Sequence, residues 1–144
     1  VASDCASLNN MIESVCNGCS EIHFMRDLTR GGLAAVLNEL AGMTGKGILV
    51  NDALIPVDEP VRGACEMLGF DPLYLANEGK VLIVTGAGSD VEVLEIMRSD
   101  PAGRQSQIIG EVVSDDRHLV IMNTITGGKR IVDMPSGILL PRIC

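Results

Sequence analysis

Hydrophobic residues recur at steps of three and four in four stretches of the chain, a spacing typical of helices with one buried face. The stretches are Leu8–Cys16, Leu33–Ala41, Val61–Leu68 and Val93–Met97. Glycines follow the first three stretches closely, as they follow many helix ends. The pattern therefore predicts four helices, each packed through its apolar stripe.

Polar residues that commonly cap helices precede three of these stretches. Asp27 or Thr29 is the predicted N-cap of the second helix, and Asp58 is that of the third. Ser89 and Glu92 match a capping box at the start of the fourth. These signals place the helix starts within a few residues.

Short apolar runs predict six β-strands: Ile22–Met25, Ile48–Val50, Val81–Val84, Ile108–Val113, Leu119–Met122 and Arg130–Asp133. The third run is unbroken, which is typical of a central strand. Turns at Asp115-Asp116 and Gly127-Gly128 predict that the last three strands form antiparallel hairpins. The order helix, β, α, β, α, β, α, β, β, β favours the α+β class, with a mixed β-sheet flanked by helices and ferredoxin-like elements.

The composition narrows the classes of function. A net charge of −8 over 144 residues argues against a nucleic-acid partner. A mean hydropathy of +0.30 is high, so some apolar surface is expected to meet a partner. No stretch is long enough for a membrane helix and no signal peptide is present, so no membrane association is expected. One domain is expected, and because Val1 is not an initiator methionine we expect a fragment or a processed product.

The five cysteines, an odd number, are typical of free thiols in a reducing cytoplasm. Cys16 and Cys19 form a single Cys-x-x-Cys pair, and no second pair completes a zinc site. We therefore predict ordinary thiols and no metal site, with Cys65 buried on the apolar face of the third helix. Gly86-x-Gly88 is only a partial dinucleotide fingerprint, because position 91 is valine where a third glycine is needed.

Two polar segments stand beside predicted strands. Around Asp27 and Thr29, the pair Gly31-Gly32 allows close approach of a ligand or another chain, and the helix start attracts an anion. The alternative is a plain turn with glycines for packing.

Asn77-Glu78-Gly79-Lys80 places an amide, a carboxylate and an ammonium at the mouth of a strand, where function is common. The alternative there is a surface ion pair.

The chain ends in Pro141-Arg142-Ile143-Cys144, so its last residue carries a thiol. The six residues 139–144 could span roughly 20 Å when extended, enough to carry the sulfur into a neighbouring active site. A frayed end that happens to finish in cysteine is the alternative.

Four stretches together resemble the HypE family, the hydrogenase expression/formation proteins of nickel–iron hydrogenase maturation. They are 25–33, 61–66, 76–80 and 141–144, and the likeness covers the family's C-terminal domain. The Asp-x-Thr-x-Gly-Gly turn is shared with the wider superfamily of aminoimidazole ribonucleotide synthetase, selenophosphate synthetase and thiamine-monophosphate kinase. The Pro-Arg-Ile-Cys end points to HypE within that superfamily.

The resemblance implies a homodimeric, cytoplasmic, ATP-dependent carbamoyl dehydratase. In the family, HypF places a carbamoyl group on the terminal cysteine, and HypE converts the product to a thiocyanate. The cyano group then passes to iron held by the HypC–HypD complex. ATP and Mg²⁺ are the implied cofactors, and their sites lie mostly in an N-terminal domain that is absent from this chain.

On this basis we expect residues 1–138 to form a synthetase-like C-terminal domain and 139–144 a mobile tail. Cys144 is the expected covalent carrier and Glu78 the candidate general base. A nucleotide-phosphate or domain-interface region is expected at Asp27, Thr29, Gly31, Gly32, Asn77 and Lys80. The alternative is that the isolated chain is only a carrier, dimerisation or partner-docking domain without catalysis.

Overall fold

The computed structural model describes residues 3, 5–115 and 117–135. In this part of the chain, four α-helices and six β-strands follow one another in the predicted order. They are α1 Asn9–Gly18, β1 Ile22–Asp27, α2 Gly32–Thr44, β2 Gly47–Asn51, α3 Glu59–Leu68, β3 Val81–Thr85, α4 Asp90–Ser99, β4 Gly110–Val113, β5 Val120–Asn123 and β6 Lys129–Ile131. Short 3-10 segments occupy Asp52–Leu54, Pro72–Tyr74 and Pro101–Gly103. The predicted α+β class is confirmed.

The chain divides into two compact units. We call residues 30–76 and 109–135 the α2 unit, and residues 5–29 and 77–108 the α1 unit. Each unit holds its own sheet, because β1 and β3 fall in the α1 unit and the other four strands in the α2 unit.

The α1 unit is built on an antiparallel pair of strands, β1 and β3. Helices α1 and α4 pack against each other, and Val15, Cys19 and Val93 form a buried cluster. The prediction of a central strand at Val81–Val84 was wrong, because among the described residues β3 pairs only with β1. All five residues of β3 are half-buried, so an unbroken apolar run here does not mean burial on both faces.

The α2 unit holds a mixed four-stranded sheet in the order β4-β2-β5-β6. Strand β2 is antiparallel to β4 and parallel to β5, so Ile48 has Val112 on one side and Val120 on the other. The predicted hairpin from β4 to β5 was wrong, because β2 takes the ladder hydrogen bonds of both strands. The hairpin from β5 to β6 is confirmed.

Helix α2, the most apolar of the four described helices, covers this sheet. Its buried residues include Leu33, Val36, Leu37 and Leu40, and the helix contacts β2 and β5. Burying a side chain of this kind stabilises the fold by roughly 1.5–3 kcal/mol, so this face dominates the core of the unit.

The helix ends show how closely local signals set the boundaries. Gly31, in a left-handed conformation, is the N-cap of α2, so the prediction of Asp27 or Thr29 was wrong. Asp27 still belongs to β1 and cannot also begin the helix. Ser89 is the N-cap of α4, but its side chain makes no capping hydrogen bond, so the capping box was wrong. Asp58 is the N-cap residue of α3 as predicted, but its side chain also makes no capping hydrogen bond.

Cys16 is exposed, whereas Cys19 and Cys65 are buried, and all three are free thiols as predicted. Among the helices of the described segments, none has both the length and the apolar character needed to cross a bilayer.

Candidate functional site

Four of the predicted site residues meet at one end of the two-stranded sheet. Asp27 is the last residue of β1, and it lies opposite Val81, the first residue of β3. The segment before β3 folds back onto the end of β1, because the Leu28 N–H donates to the Lys80 carbonyl (3.3 Å) and the Asn77 N–H donates to the Leu28 carbonyl (3.0 Å). Backbone pairing therefore brings Asp27 beside the Asn77–Lys80 loop. We call Asp27, Asn77, Glu78 and Lys80 the strand-mouth cluster.

The charged side chains of this cluster face solvent. Asp27, Glu78 and Lys80 are exposed, and Asn77 is half-buried. The Lys80 ammonium donates to the Asn77 Oδ1 atom over 3.0 Å, which ties the two ends of the loop together. An ammonium has three donors, so this bond is compatible with a contact to a phosphate oxygen. The cluster thus offers a carboxylate and a cation within one three-residue span.

Gly31 and Gly32 both have positive φ angles, 67° and 61°. A Cβ atom at Gly32 would lie 2.5 Å from the Leu75 carbonyl oxygen and closer still to that of Leu73. At Gly31 it would lie 2.6 Å from the Ala35 Cβ atom and 3.2 Å from the Pro135 Cγ atom. The close approach that these glycines permit is therefore made by the chain's own backbone and side chains.

The predicted site residues fall into both compact units. Asp27, Thr29, Asn77, Glu78 and Lys80 lie in the α1 unit, with Thr29 half-buried in the turn before α2.

Gly31 and Gly32 lie buried in the α2 unit. Cys144 and the predicted tail 139–144 lie outside the described residues. The strand-mouth cluster is the part of the predicted site that the described contacts bring together.

A second set of polar contacts was not predicted from the sequence. It surrounds residues 132–135, the four described residues after β6, which we call the arm root. The Asn38 side-chain amide donates to the Val132 carbonyl (2.9 Å), and the Tyr74 hydroxyl donates to the Asp133 carbonyl (3.0 Å).

The partners in these bonds are 94 and 59 residues apart in sequence, so no local pattern signals them. A polar Asn38 on a strongly apolar helix was the available hint, since buried polar groups are usually paired.

An ion pair flanks the arm root on the same sheet. Arg130, in β6, donates from Nη2 to the Asp71 Oδ2 atom at 2.5 Å. The other Asp71 oxygen accepts from the Leu73 N–H (3.0 Å), which fixes the 3-10 segment that carries Tyr74. Burial raises the pKa of Tyr74, and the nearby Asp71 carboxylate adds to this rise. The hydroxyl therefore stays protonated and keeps its donor at neutral pH.

Within residues 5–115 and 117–135, no three His, Cys, Asp or Glu side chains come close enough together to hold a metal ion.

Residues 1–123 match the family model described as "AIR synthase related protein, C-terminal domain". Over all 144 residues the chain is 48% identical to "Carbamoyl dehydratase HypE" of Azotobacter vinelandii, covering 42% of that protein. It is 45% identical over 144 residues to the protein of the same name from Cupriavidus necator, covering 41% of it. The chain thus spans about two fifths of the length of the curated relatives it matches.

Solved structures of HypE proteins are also similar to this chain. The structure of "Hydrogenase Maturation Protein HypE in complex with ATP" superimposes with a TM-score of 0.93 at 41% identity, covering all of this chain and 44% of that one. The HypE chain matched in a "HypE-HypF complex" gives 0.88 at 46% identity, over 94% of this chain and 44% of that one. The resemblance to HypE expected from the sequence is confirmed. The chain belongs to the family of AIR synthase related proteins, as a C-terminal domain of that family.

Proposed function

We propose that this chain is the C-terminal part of a HypE-type carbamoyl dehydratase of nickel–iron hydrogenase maturation. The main support for this proposal is that the match to the family model and the alignment to a carbamoyl dehydratase end at different residues. The family model matches residues 1–123, whereas the 48% identity to a carbamoyl dehydratase continues to residue 144. The last 21 residues, which end in Cys144, therefore align with HypE although they lie beyond the match to the wider family's model.

The reaction that this proposal assigns is the dehydration of an S-carbamoyl group on Cys144. The carbamoyl oxygen attacks the γ-phosphorus of ATP, and ADP leaves. A base removes the nitrogen protons, the carbon–oxygen bond breaks, and the oxygen departs with phosphate. The product is a thiocyanate on the same sulfur, so the sulfur serves as a tether and its oxidation state does not change.

The strand-mouth cluster supplies residue types that suit this step. Glu78 is exposed, and a carboxylate that accepts a proton from the substrate nitrogen would act as the general base. Lys80 lies two residues away and can offset charge on the transferred phosphate. We assign Asp27 and Asn77 to the same nucleotide-phosphate region, since backbone bonds place them beside Lys80. Thr29, Gly31 and Gly32 belong to this or to the domain-interface region.

Partners follow from the same assignment. A HypF protein is the proposed carbamoyl donor, supported by the likeness to the HypE chain in a HypE–HypF complex. A HypC–HypD complex is the proposed acceptor of cyanide, its iron being the recipient of the product. We further propose a cytoplasmic homodimer. ATP is the proposed co-substrate, supported by the likeness to HypE solved with ATP. No step is assigned to Mg²⁺ in this part of the protein.

The test uses a protein of the relatives' full length that contains this chain, called the full-length protein below. Glu78→Gln should leave carbamoylation of Cys144 intact and stop the subsequent loss of water, both followed by intact-protein mass spectrometry. Glu95→Gln is the matched control, because it removes an equivalent charge from an exposed glutamate of the same unit. Normal dehydration by Glu78→Gln would exclude the base role. Dehydration by a protein lacking Cys144 would exclude the carrier.

The alternative function is a carrier or docking domain without catalysis. This alternative is favoured by the fact that the chain spans only 42% of the length of the Azotobacter vinelandii relative. Incubating the 144-residue chain with HypF, ATP and carbamoyl phosphate separates the two. A gain of one carbamoyl mass without later loss of water indicates a carrier alone, and loss of water indicates catalysis within this chain.

A further inference from the structure

Apart from the buried side chain of Val132, the arm root is held mainly through its backbone. The Val132 N–H donates to the Val120 carbonyl over 2.9 Å, which extends the sheet pairing one residue past β6. The Val132 carbonyl then accepts from Asn38, and the next carbonyl, of Asp133, accepts from Tyr74. Two consecutive carbonyls are thus fixed by two side chains from different elements of the same unit.

Past Val132, whose side chain is fully buried, the side chains of the arm root contribute less. Asp133 is exposed, Met134 is 47% exposed and Pro135 is half-buried. Two side-chain hydrogen bonds, each worth about 1 kcal/mol, are therefore a large part of what holds residues 133–135 in place.

Asn38 is well suited to this task because its amide also donates to the Ala34 carbonyl of its own helix (2.9 Å). Two fixed partners leave the side chain little freedom.

The position of this attachment sets the length of chain between the fixed backbone and the terminal thiol. Cys144 comes nine residues after Pro135 and twelve after Val132, which stays paired with Val120 when the two side-chain bonds are lost. Nine residues can span at most about 30 Å and twelve about 40 Å. For a flexible tether, that lengthening alone would lower the effective concentration of the sulfur at a fixed site by about 1.5-fold. Loss of the fixed exit direction at Pro135 would lower it further.

We propose that Asn38 and Tyr74 are positioning residues that clamp the arm root and so fix the pivot from which Cys144 reaches the dehydration site. This inference rests on the proposed function. The two residues act through the arm, touching neither ATP nor the carbamoyl group. Their loss therefore slows the intramolecular step without weakening the binding of free ATP.

The kinetic test is a single-turnover experiment on the full-length protein, carbamoylated on Cys144 beforehand. Tyr74→Phe, which keeps the ring and removes only the donor, should slow the loss of water about twofold to fivefold. Tyr74→Phe combined with Asn38→Ala should slow it about fivefold to twentyfold. The KM for ATP and the extent of carbamoylation should not change. Thr44→Val is the matched control, since it removes a hydroxyl-to-carbonyl bond of 2.8 Å from the same unit away from the arm root.

A second measurement monitors the pivot without relying on catalysis. Spin labels are placed on Cys144 and on Met43→Cys, an α2 position that is 74% exposed, with the exposed Cys5 and Cys16 changed to serine. The distribution of distances between the labels should broaden in Tyr74→Phe and again in the double variant, but not in Thr44→Val.

The outcomes separate the inference from the function on which it rests. If the unsubstituted protein never loses water, the proposed function fails, while the label distances still test the clamp. If it loses water and Tyr74→Phe matches it in rate and in distance distribution, the clamp is overturned. A rise in the KM for ATP at an unchanged dehydration rate would also contradict it, because that pattern belongs to a nucleotide-binding role.

Discussion

Replacing Gly32 with alanine tests the interpretation of the glycine pair most directly. The backbone at Gly32 has φ 61°, and a new Cβ atom would lie 2.5 Å from the Leu75 carbonyl oxygen. Gly69, at the end of α3, offers a control with nearly the same backbone strain: its φ is 72°, and nothing lies within 4 Å of an added Cβ atom. Both glycines belong to the α2 unit. The comparison therefore isolates the collision from the cost of the left-handed conformation.

The magnitudes differ because only one site is crowded. A left-handed conformation costs an alanine roughly 1–2 kcal/mol, and the lower entropy of the unfolded chain returns about 0.4–1 kcal/mol. Gly69→Ala should therefore lower the free energy of unfolding by about 1 kcal/mol or less. At Gly32 the obstacle is backbone, which no rotamer change can move, so overpacking adds roughly 1–3 kcal/mol. Gly32→Ala should cost about 2–4 kcal/mol in total.

Urea unfolding of the chain measures both values. Tyr74 is the single tyrosine and there is no tryptophan, so intrinsic fluorescence reports on the α2 unit, where both glycines lie. Midpoints and slopes give the free energy of unfolding for the two variants and the unsubstituted chain. Equal destabilisation by Gly32→Ala and Gly69→Ala would refute the reasoning, because it would mean that Leu73 and Leu75 do not press on the glycine.

Two further predictions concern titration and thiol reactivity. Hydrogen bonds from Arg117 lower the pKa of Asp115 to about 2 from its ordinary 3.8, so the carboxylate's contribution to stability is complete above about pH 5 and is lost as the pH falls through 2. An NMR titration should give that midpoint, and Arg117→Gln should move it back toward 3.8; an unchanged midpoint would exclude the Arg117 side chain as the cause, since the backbone N–H of residue 117 remains. Iodoacetamide should alkylate the exposed Cys16 in the folded chain and spare Cys19, which is 7% exposed, until urea unfolds it. Equal labelling of both thiols before unfolding would contradict the packing of the α1 unit.

The helices were predictable because their signal is local. An apolar stripe at helical spacing reports directly which face of α2 is buried, and the structure buries Leu33, Val36, Leu37 and Leu40. The helix starts were less predictable, since capping residues within a few positions compete for the same role. Gly31, in a left-handed conformation, begins α2, and Asp27 ends β1. Residue preferences alone do not specify which of the two begins the helix.

Strand pairing was predictable only where a tight turn connects the partners. Strands β5 and β6 pair across Gly127-Gly128 as expected. Strand β4 instead pairs with β2, far earlier in the chain, and β5 joins the other edge of β2 in parallel. Both pairings join residues 60 or more positions apart in the sequence, so no local pattern predicts them.

The candidate site was also predictable only in part. Each half of the strand-mouth cluster was visible as a polar segment beside a strand, but their meeting depends on the pairing of Asp27 with Val81 across the sheet. The contacts of Asn38 and Tyr74 with the arm root could not be predicted, because Asn38 on an apolar helix indicates only that its amide needs a partner, and the partners are 94 and 59 residues apart.

The glycine pair illustrates why a shared motif does not settle a role. From the sequence alone, an anion at the start of α2 and a packing turn both account for Gly31-Gly32. The groups that crowd Gly32 are carbonyl oxygens of Leu73 and Leu75, which carry partial negative charge and repel an anion on that side. Packing is therefore sufficient to require glycine here, and any phosphate contact has to come from another side of the turn. Because Gly31 begins the helix, Asp27 has no capping role, and its carboxylate is left at the strand mouth beside the loop that carries Glu78 and Lys80.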